Sequence, residues 1–327
     1  MEDLIFRAAT LEDTDSIIDI IRERMDWMDE VGLKQWNCTH YLEVYPREYI
    51  EAGIQNGDFY LMEQNGVVIA EMALFEKDGR WDDDPHYFYV HHLATRRGYL
   101  KAGERMLRFA QEHGKKRGKK GIRLDSAVDN DKLNAYYETL GYPAIDPFVE
   151  GEYEGIRRVK YLDMDIAFRT ATADDLETLW EIEAECFPPN EMCERANFER
   201  RIKECPEHFL LITDRDSGCI CGFIGDIYTE QAYLTDDMFT GSVKHDPQGR
   251  TMILLGLNVR AAYRKRGFAA MLMQRRLRLA KEEGIRRCVL TCHDYLIPYY
   301  EKFGYVCQGV SGSVLGGATW YDMVIAY

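Results

Sequence analysis

The sequence predicts an α/β protein of two tandem domains, residues 1–165 and 166–327, each a mixed, mostly antiparallel sheet flanked by helices. Three observations lead to this fold class. The chain of 327 residues exceeds the usual size of one domain, which is about 100 to 200 residues. Two stretches of sequence are repeated at nearly one spacing. Between the repeats, apolar alternation and helical periodicity follow each other in the same order.

Two matches define the repeat. Phe6–Asp13 returns as Phe168–Asp175, 162 residues later, and Leu133–Tyr142 returns as Leu296–Tyr305, 163 residues later. Because both matches lie at corresponding ends of a half, they indicate a duplicated fold.

The predicted elements follow one order in both halves. The opening strand ends in Thr-x-x-Asp, where the hydroxyl of Thr10 or Thr172 can satisfy free amides of the next helix. A hairpin, a strand, an amphipathic helix and another strand follow, and then a helix with two adjacent tyrosines and a closing strand pair. A strand, helix and strand crossover after antiparallel hairpins indicates a mixed sheet. The predicted strands are 59–62, 67–75, 87–95 and 121–126 in the first half and 209–213, 220–228, 252–259 and 287–292 in the second, and the amphipathic helices are 104–113 and 268–283.

Composition excludes several classes of function. The net charge of −15 disfavours a nucleic-acid partner, since binding phosphates needs a surplus of Lys and Arg on one face. No run of about 18 apolar residues is present to span a membrane. The acidic chain start lacks the pattern of a secretory signal. We therefore expect a cytoplasmic protein.

The nine cysteines show no metal-ligand spacing. An odd number without an export signal is typical of a reducing compartment. We interpret them as ordinary buried thiols and expect no metal.

The segment Leu257–Ala269 carries the most chemical information. Gly267 allows a tight turn, the small Ala269 lets a ligand approach, and the following helix presents free N–H groups and the positive end of its dipole. Such a place suits a diphosphate, although a basic glycine turn is also an ordinary helix start. Three consecutive cations belong to the same loop: Arg264, Lys265 and Arg266.

With these residues the chain resembles the GNAT acetyltransferases, whose coenzyme A loop reads Gln/Arg-x-x-Gly-x-Gly/Ala. Tyr299-Tyr300 before Gly304-Tyr305 stands where that superfamily keeps its last helix and commonly a tyrosine acid. The resemblance implies acetyl-CoA as cosubstrate. The coenzyme-binding residues that it implies in the second half are Leu257, Asn258, Val259, Arg264, Lys265, Arg266, Gly267, Phe268 and Ala269.

The second half is further similar to the arylalkylamine (serotonin) N-acetyltransferase group and its bacterial relatives. The segments that carry this likeness are Cys186–Pro189, Val289–Phe303 and Gly309–Gly312. Animal members of the group relay the amine proton through two histidines on the strand before the loop. Ile253 and Leu255 occupy those places here. The route by which the amine loses its proton therefore stays open.

Four side chains are candidates for the transfer chemistry. The resemblance implies that Tyr300 protonates the departing thiolate, and a phenol with a pKa of about 10 is a reasonable donor. His293, just before the tyrosine helix, could be the base or a satisfied surface histidine. Asp236 and Asp237, in a long insertion, could attract an ammonium group or be solvated loop acids.

The first half departs from the loop pattern. Leu100 stands in the place of the loop arginine, Arg105 in that of the loop alanine, and only Gly103 keeps its partner. Arg105 could block the amides or bind a phosphate itself.

Other residues of the first half agree better with the superfamily. His91 stands in the place of Leu255, and Asn130 lies seven residues before Tyr137, a spacing that superfamily members use at the coenzyme. The first half is thus either a second transferase, with Tyr137 as its acid, or a degenerate partner domain, which the loop favours.

The predicted function is acetyl-CoA-dependent acetylation of a primary amine, a small amine or polyamine, by direct attack in a ternary complex. A peptide N-terminal amine is the nearest competing acceptor. A different class of function is an acyl-CoA sensor without turnover. The sequence gives no oligomeric state.

Overall fold

In the computed structural model, which describes residues 4–81 and 84–327, a seven-stranded sheet forms the centre of each half. The first three residues of the chain start considered above lie outside the described residues. The chain divides into two units, Met1–Pro143 with Val149–Asp163, and Ala144–Phe148 with Met164–Tyr327.

Over its described residues, the first half contains seven strands and five α-helices. Its strands are β1 (Leu4–Ala8), β2 (Phe59–Gln64), β3 (Val67–Phe75), β4 (Tyr87–Thr95), β5 (Gly121–Ala127), β6 (Ala144–Glu150) and β7 (Tyr153–Tyr161). Its helices are α1 (Thr14–Val31), α2 (Tyr41–Val44), α3 (Arg47–Asn56), α4 (Ala102–Lys116) and α5 (Asp131–Thr139).

The second half repeats this order. Its strands are β8 (Ile166–Thr170), β9 (Phe209–Asp214), β10 (Ile220–Thr229), β11 (Thr251–Val259), β12 (Arg287–Cys292), β13 (Val306–Val310) and β14 (Tyr321–Ala326). Its helices are α6 (Leu176–Cys186), α7 (Arg195–Glu204), α8 (Asp237–Thr240), α9 (Phe268–Glu282) and α10 (Ile297–Glu301).

The two sheets have the same kind of topology. The strand order is β1-β2-β3-β4-β5-β7-β6 in the first and β13-β14-β12-β11-β10-β9-β8 in the second. β4 pairs with β5 and β11 with β12 in parallel, whereas the other registered neighbours are antiparallel. The predicted fold class, two mixed and mostly antiparallel sheets flanked by helices, is confirmed.

The repeated Phe-Arg-x-x-Thr-x-x-Asp stretch forms one structural unit in each half. The guanidinium of Arg7 donates to both carboxylate oxygens of Asp13 at 2.7 Å, and Asp13 also accepts the backbone N–H of Thr10 at 2.8 Å. The Thr10 hydroxyl donates to the same carboxylate, 2.9 Å away. The predicted capping box is confirmed in both halves, where the side chains of Thr10 and Thr172 accept from the backbone N–H of Asp13 and Asp175.

The cysteine prediction needs a correction. All nine cysteines are thiols. Five of them are buried, but Cys38 is exposed and Cys186, Cys219 and Cys307 are half-buried, so the group is not uniformly part of the core.

Apolar side chains on both faces of each sheet form the cores. In the first half, α4 packs on one face of the sheet and α1 with α3 on the other. In the second half, α6 and α7 pack on the face that carries Phe223 and Leu255. Among the described residues, no helix is both long and apolar enough to cross a membrane.

Candidate active site

The strand before the predicted phosphate loop, β11, separates from its parallel neighbour part-way along. Over the described residues, the register between β11 and β12 runs only from Thr251 opposite Arg287 to Ile253 opposite Val289. Beyond Ile253, β12 therefore does not engage the backbone N–H and C=O groups on this side of β11. Apart from the Val259 carbonyl, which accepts from Arg264 Nε and from the Cys186 thiol, these groups are available to an extended ligand, as at an exposed sheet edge. The predicted coenzyme-binding residues on this open end are Leu257, Asn258 and Val259.

Two positive φ angles turn the chain from β11 into α9. Lys265 has a φ of 62° and Gly267 a φ of 86°, and Gly267 directly precedes the first helical residue, Phe268. The N–H of Met271 donates to the Gly267 carbonyl. The N–H groups of the three residues before Met271 belong to the first turn, which has no intrahelical acceptors. Together with the helix dipole they form an anion-binding position.

The three cations of the loop are placed differently. Arg264 turns back on the protein, where its Nε donates to the Val259 carbonyl at 3.0 Å and its Nη2 to a carbonyl at the end of α6 at 3.3 Å. The guanidinium carbon of Arg266 lies 5.8 Å from the centroid of an aromatic ring on α9. Lys265 is exposed. Arg264 thus shapes the loop, and Lys265 is presented to solvent beside the helix end.

Tyr300 lies on the short helix α10 and is buried. Its ring contacts the rings of Tyr299 and Tyr305, with centroids 5.2 and 6.0 Å away. Burial raises the pKa of the Tyr300 phenol, with a smaller contribution from Cys292 at the end of β12. A phenol in this environment stays protonated at neutral pH.

His293 follows β12 and is held by two neighbours. Its Nε2 lies 3.5 Å from a carboxylate oxygen of Glu191, and its ring stacks on Trp320 with a centroid distance of 4.4 Å. The side chain is thus positioned beside a carboxylate, a common arrangement for a proton-accepting imidazole.

Glu183 is a buried acid that the sequence analysis missed. It lies on α6, is 4% exposed, and accepts a hydrogen bond from Asn258 Nδ2 at 3.0 Å. A Cβ placed on Gly256 would lie 3.6 Å from the Glu183 carboxylate, so the acid faces the open end of β11. Burial raises its pKa to about 7, against the lowering effect of Arg201.

A sequence signal for Glu183 exists. Leu179, Ile182 and Cys186 are spaced as the apolar face of a helix, and Glu183 belongs to that face by its position. A carboxyl group on a core-facing position is uncommon unless it is paired or functional.

Asp236, a predicted ammonium-attracting residue, has a different role. Its carboxylate accepts the Ser313 hydroxyl at 2.5 Å and the Val314 N–H at 3.1 Å. It ties the insertion to the loop before β14. Its neighbour Asp237 begins α8.

The first half has the same strand separation but a different loop. β4 and β5 are in register from Tyr87 opposite Gly121 to Tyr89, over the described residues. Lys101, with a φ of 61°, precedes the first residue of α4, and Gly103 lies inside the helix. We aligned Gly103 with Gly267. The two glycines are not structurally equivalent, because only Gly267 occupies the left-handed position before the helix.

The remaining first-half candidates lie near the tyrosine helix and on β4. Asn130 caps α5 by accepting the Leu133 N–H at 3.1 Å. Tyr137 is half-buried, and desolvation followed by the Asp125 charge raises its pKa. His91 Nε2 lies 2.8 Å from the Asp78 carboxylate.

Comparison with known sequences follows the internal repeat. A family model described as acetyltransferase (GNAT) family matches residues 22–142 and 176–305, one segment in each half. The serotonin N-acetyltransferase of Mesocricetus auratus is 32% identical over 163 residues, which cover 48% of this chain and 75% of that protein. The uncharacterized N-acetyltransferase YesJ of Bacillus subtilis (strain 168) is 28% identical over 143 residues, 41% of this chain and 78% of that protein.

Solved structures with a similar fold cover about half of the chain. An acetyltransferase of the GNAT family from Listeria monocytogenes is 24% identical and covers 49% of this chain and 95% of its own, with a TM-score of 0.41. The PaiA N-acetyltransferase of Thermoplasma acidophilum, crystallised with coenzyme A, is 20% identical and covers 49% and 99%, with a TM-score of 0.40.

Proposed function

We propose that the second half of this chain transfers the acetyl group of acetyl-CoA to a primary amine by direct attack in a ternary complex. The premise is that the chain belongs to the acetyltransferase (GNAT) family and is an N-acetyltransferase. The observation that carries the proposal is the continuity of two binding features. The open backbone of β11 leads through the loop 260–267 to the free amides at the start of α9. The first half is then a degenerate partner domain, with the boundary after residue 165.

The residues of this region fit a coenzyme A thioester. The amides at the start of α9 would hold the diphosphate, and the backbone of Leu257, Asn258 and Val259 would hold the pantetheine arm. Lys265 can add a charge beside the phosphates. When bound, acetyl-CoA supplies an acetyl group already activated as a thioester.

Two side chains move the protons of the transfer. Glu183 accepts a proton from the bound ammonium, which leaves a neutral amine. The amine nitrogen then forms its bond to the acetyl carbon as the carbon–sulfur bond breaks, and the acylated nitrogen releases its surplus proton to solvent. Tyr300 donates its phenolic proton to the departing thiolate and recovers it from solvent. His293, beside Glu191, is the alternative proton acceptor.

The acceptor that we propose is a small amine or polyamine. The net charge of −15 favours the approach of a cation. A peptide N-terminal amine has the same reactive group and is the competing acceptor. An acyl-CoA sensor, the alternative from another class of function, would bind the coenzyme without releasing its thiol.

The test is the rate of free thiol release from acetyl-CoA by the full chain across a panel of small amines, polyamines and short peptides. We expect release that depends on the amine, with one acetylated product for each thiol. Release that no amine accelerates, in a protein that binds acetyl-CoA, would support the sensor instead.

A further inference from the structure

A buried cluster of polar side chains in the second half takes no part in the proposed transfer reaction. Asp226 lies on β10, directly after a register shift against β11, and is 0% exposed. Arg276, on α9, donates to its carboxylate through Nε at 2.5 Å and Nη2 at 3.1 Å. The Nδ1 of His208, just before β9, lies 2.7 Å from the same carboxylate. Burial opposes ionisation of Asp226, but the charge of Arg276 outweighs it and keeps the pKa of this acid low.

His245 approaches this cluster from the long insertion between β10 and β11, residues 230–250. Its ring centroid lies 4.2 Å from that of His208. Its Nδ1 accepts the backbone N–H of Tyr228 at 3.1 Å. The next residue, Asp246, donates its own N–H to the Tyr228 carbonyl at 2.9 Å. These two residues thus hold the end of the insertion against the last part of β10.

The hydrogen bond from Tyr228 fixes the protonation state of the His245 ring. A ring nitrogen that accepts an N–H bond carries no hydrogen, so Nδ1 is unprotonated and the ring is neutral. A proton added at Nδ1 breaks this bond and leaves the N–H of a buried residue without its acceptor, which costs free energy. The new charge would also lie beside His208. Burial, followed by His208, lowers the pKa of His245.

Other charged and titratable groups surround the ring from β10, from α9, from the turn before β9 and from the insertion itself. They are Glu207, Asp226, Tyr228, Asp246, Arg276 and Glu283. Three of the acids favour a charged ring, but less than burial and His208 disfavour it. Asp226 and Glu283 are both matched by Arg276, at 2.5 and 3.2 Å. The folded insertion therefore favours the neutral ring.

We propose that protonation of His245 releases the end of the insertion, residues 242–248, from β10, so that this segment is ordered at neutral pH and loosened by mild acid. The start of the insertion is held independently, because Leu234 and Phe239 are buried in the apolar core and Asp236 binds the loop before β14. Acidification thus loosens one segment rather than the whole half. The contact uses no residue of the transfer reaction, so the inference does not depend on the proposed function.

The test is hydrogen–deuterium exchange of the full chain at single amides, followed at the N–H groups of Tyr228 and Asp246. The released His245 has the ordinary pKa of about 6.5, above that of the held ring. The contact is therefore intact above this pH and weakens as the pH falls below it. We expect the protection factors of both amides, corrected for intrinsic exchange, to fall by about 5- to 10-fold between pH 7.5 and 5.5. Unchanged protection across this range would overturn the proposal.

His245→Asn is the informative variant, because its Oδ1 can replace Nδ1 as the acceptor for the Tyr228 N–H but does not titrate. Protection in this variant should match wild type at pH 7.5 and stay within about twofold down to pH 5.5. His40→Asn, at an exposed histidine of the first half, is the matched control and should keep the wild-type fall. An acid-induced loss that persists in His245→Asn would contradict the proposal.

A direct titration covers the case in which His245→Asn is already unprotected at pH 7.5. The ring nitrogens of His245 in the wild-type chain are then followed by ¹⁵N NMR. The proposal requires an unprotonated Nδ1 at pH 7.5 and a protonation midpoint at the pH where Tyr228 loses its protection. A ring that takes up its proton while the Tyr228 amide stays protected would overturn it.

Discussion

Arg7 and Arg169 hold Asp13 and Asp175 in the two halves with the same 2.7 Å contacts, whereas the turns that lead into α4 and α9 differ. The frame is shared: both sheets have one parallel pair that separates after three registered residue pairs, and both keep a tyrosine helix. Only the second half places a glycine with positive φ directly before its helix. The two halves therefore share the contacts that build the sheet, but they differ in the turn that presents backbone amides to a ligand.

The buried acids of the two halves make the same point. Glu183 reaches the open end of β11 from a helix and accepts a hydrogen bond from Asn258. Glu71 lies on a strand, next to a register shift, and within residues 4–81 and 84–327 its carboxyl group has no hydrogen-bond partner. In the part of the chain that the structure describes, each half thus has one buried glutamate near the strand before its loop, but the two come from different elements. The chemistry of the halves has diverged on one fold, as expected when function depends on a few local side chains.

The largest effect is expected from Tyr300→Phe, which removes only the proposed proton donor. We expect kcat to fall by about 10² to 10⁴-fold with little change in acetyl-CoA affinity, because general-acid catalysis acts in the transition state. Steady-state thiol release measures kcat and calorimetry measures affinity. Tyr299→Phe, on the neighbouring ring, is the matched control and should stay near wild type. A loss below about threefold for Tyr300→Phe would assign the proton to another donor.

Glu183→Gln is expected to lower kcat by about 10²-fold by removing the base. The pKa of Glu183, raised to about 7 by burial, gives the pH dependence: the base must be ionised, so wild-type kcat should rise with pH through about 7 and then level off. The variant should lose this limb. A pH–rate profile from 5.5 to 9 makes the test. If the limb persists in Glu183→Gln and disappears in His293→Gln, the base is His293.

Gly267→Asp should weaken acetyl-CoA binding by about tenfold or more, equivalent to about 1.4 kcal/mol. The substitution strains a left-handed position and places a negative charge at the anion-binding helix end. Gly103→Asp is the control from the other half, where the glycine is helical, and we expect a change within about twofold. Calorimetry on the two full-length variants decides. Equal weakening by both would place the coenzyme in both halves.

The smallest effect is a loss of stability expected from a change in the insertion of the second half that contains Asp236. Asp236→Ala removes the acceptor for Ser313 and Val314 and should lower the free energy of unfolding by about 1 to 3 kcal/mol. Acetyl-CoA affinity should not change. Urea unfolding with and without the substitution measures the loss. If the variant has the same urea midpoint as wild type, other contacts hold the insertion.

Local patterns predicted the elements closely. The strands 87–95 and 287–292 agree with the structure residue for residue, because alternation and turn residues are properties of the local sequence. Helix α9 ends one residue before the predicted end. Contacts between elements were harder to predict from the sequence. Gly103 was misassigned because its place relative to the start of the helix depends on the fold, which alignment alone does not give.

The two buried glutamates show why sites were harder to predict than folds. Glu71 interrupts the apolar run Val67–Phe75, and Glu183 lies on an apolar helix face, so each was visible as an exception. Whether a glutamate in an apolar segment is buried, and which side chains surround it, depends on packing across the sheet. His293, in contrast, was chosen for its place in the chain, and its pairing with Glu191 emerged only from the fold.

The most direct test of the divergence between the halves is amine-dependent thiol release by the full-length Tyr137→Phe variant beside wild type. Tyr137 corresponds to Tyr300 by the repeat but belongs to the half without the glycine-capped loop. If turnover belongs to the second half, kcat should stay within about twofold of wild type, since no transition-state contact is lost. A fall of about tenfold or more would place turnover in the first half and contradict the account.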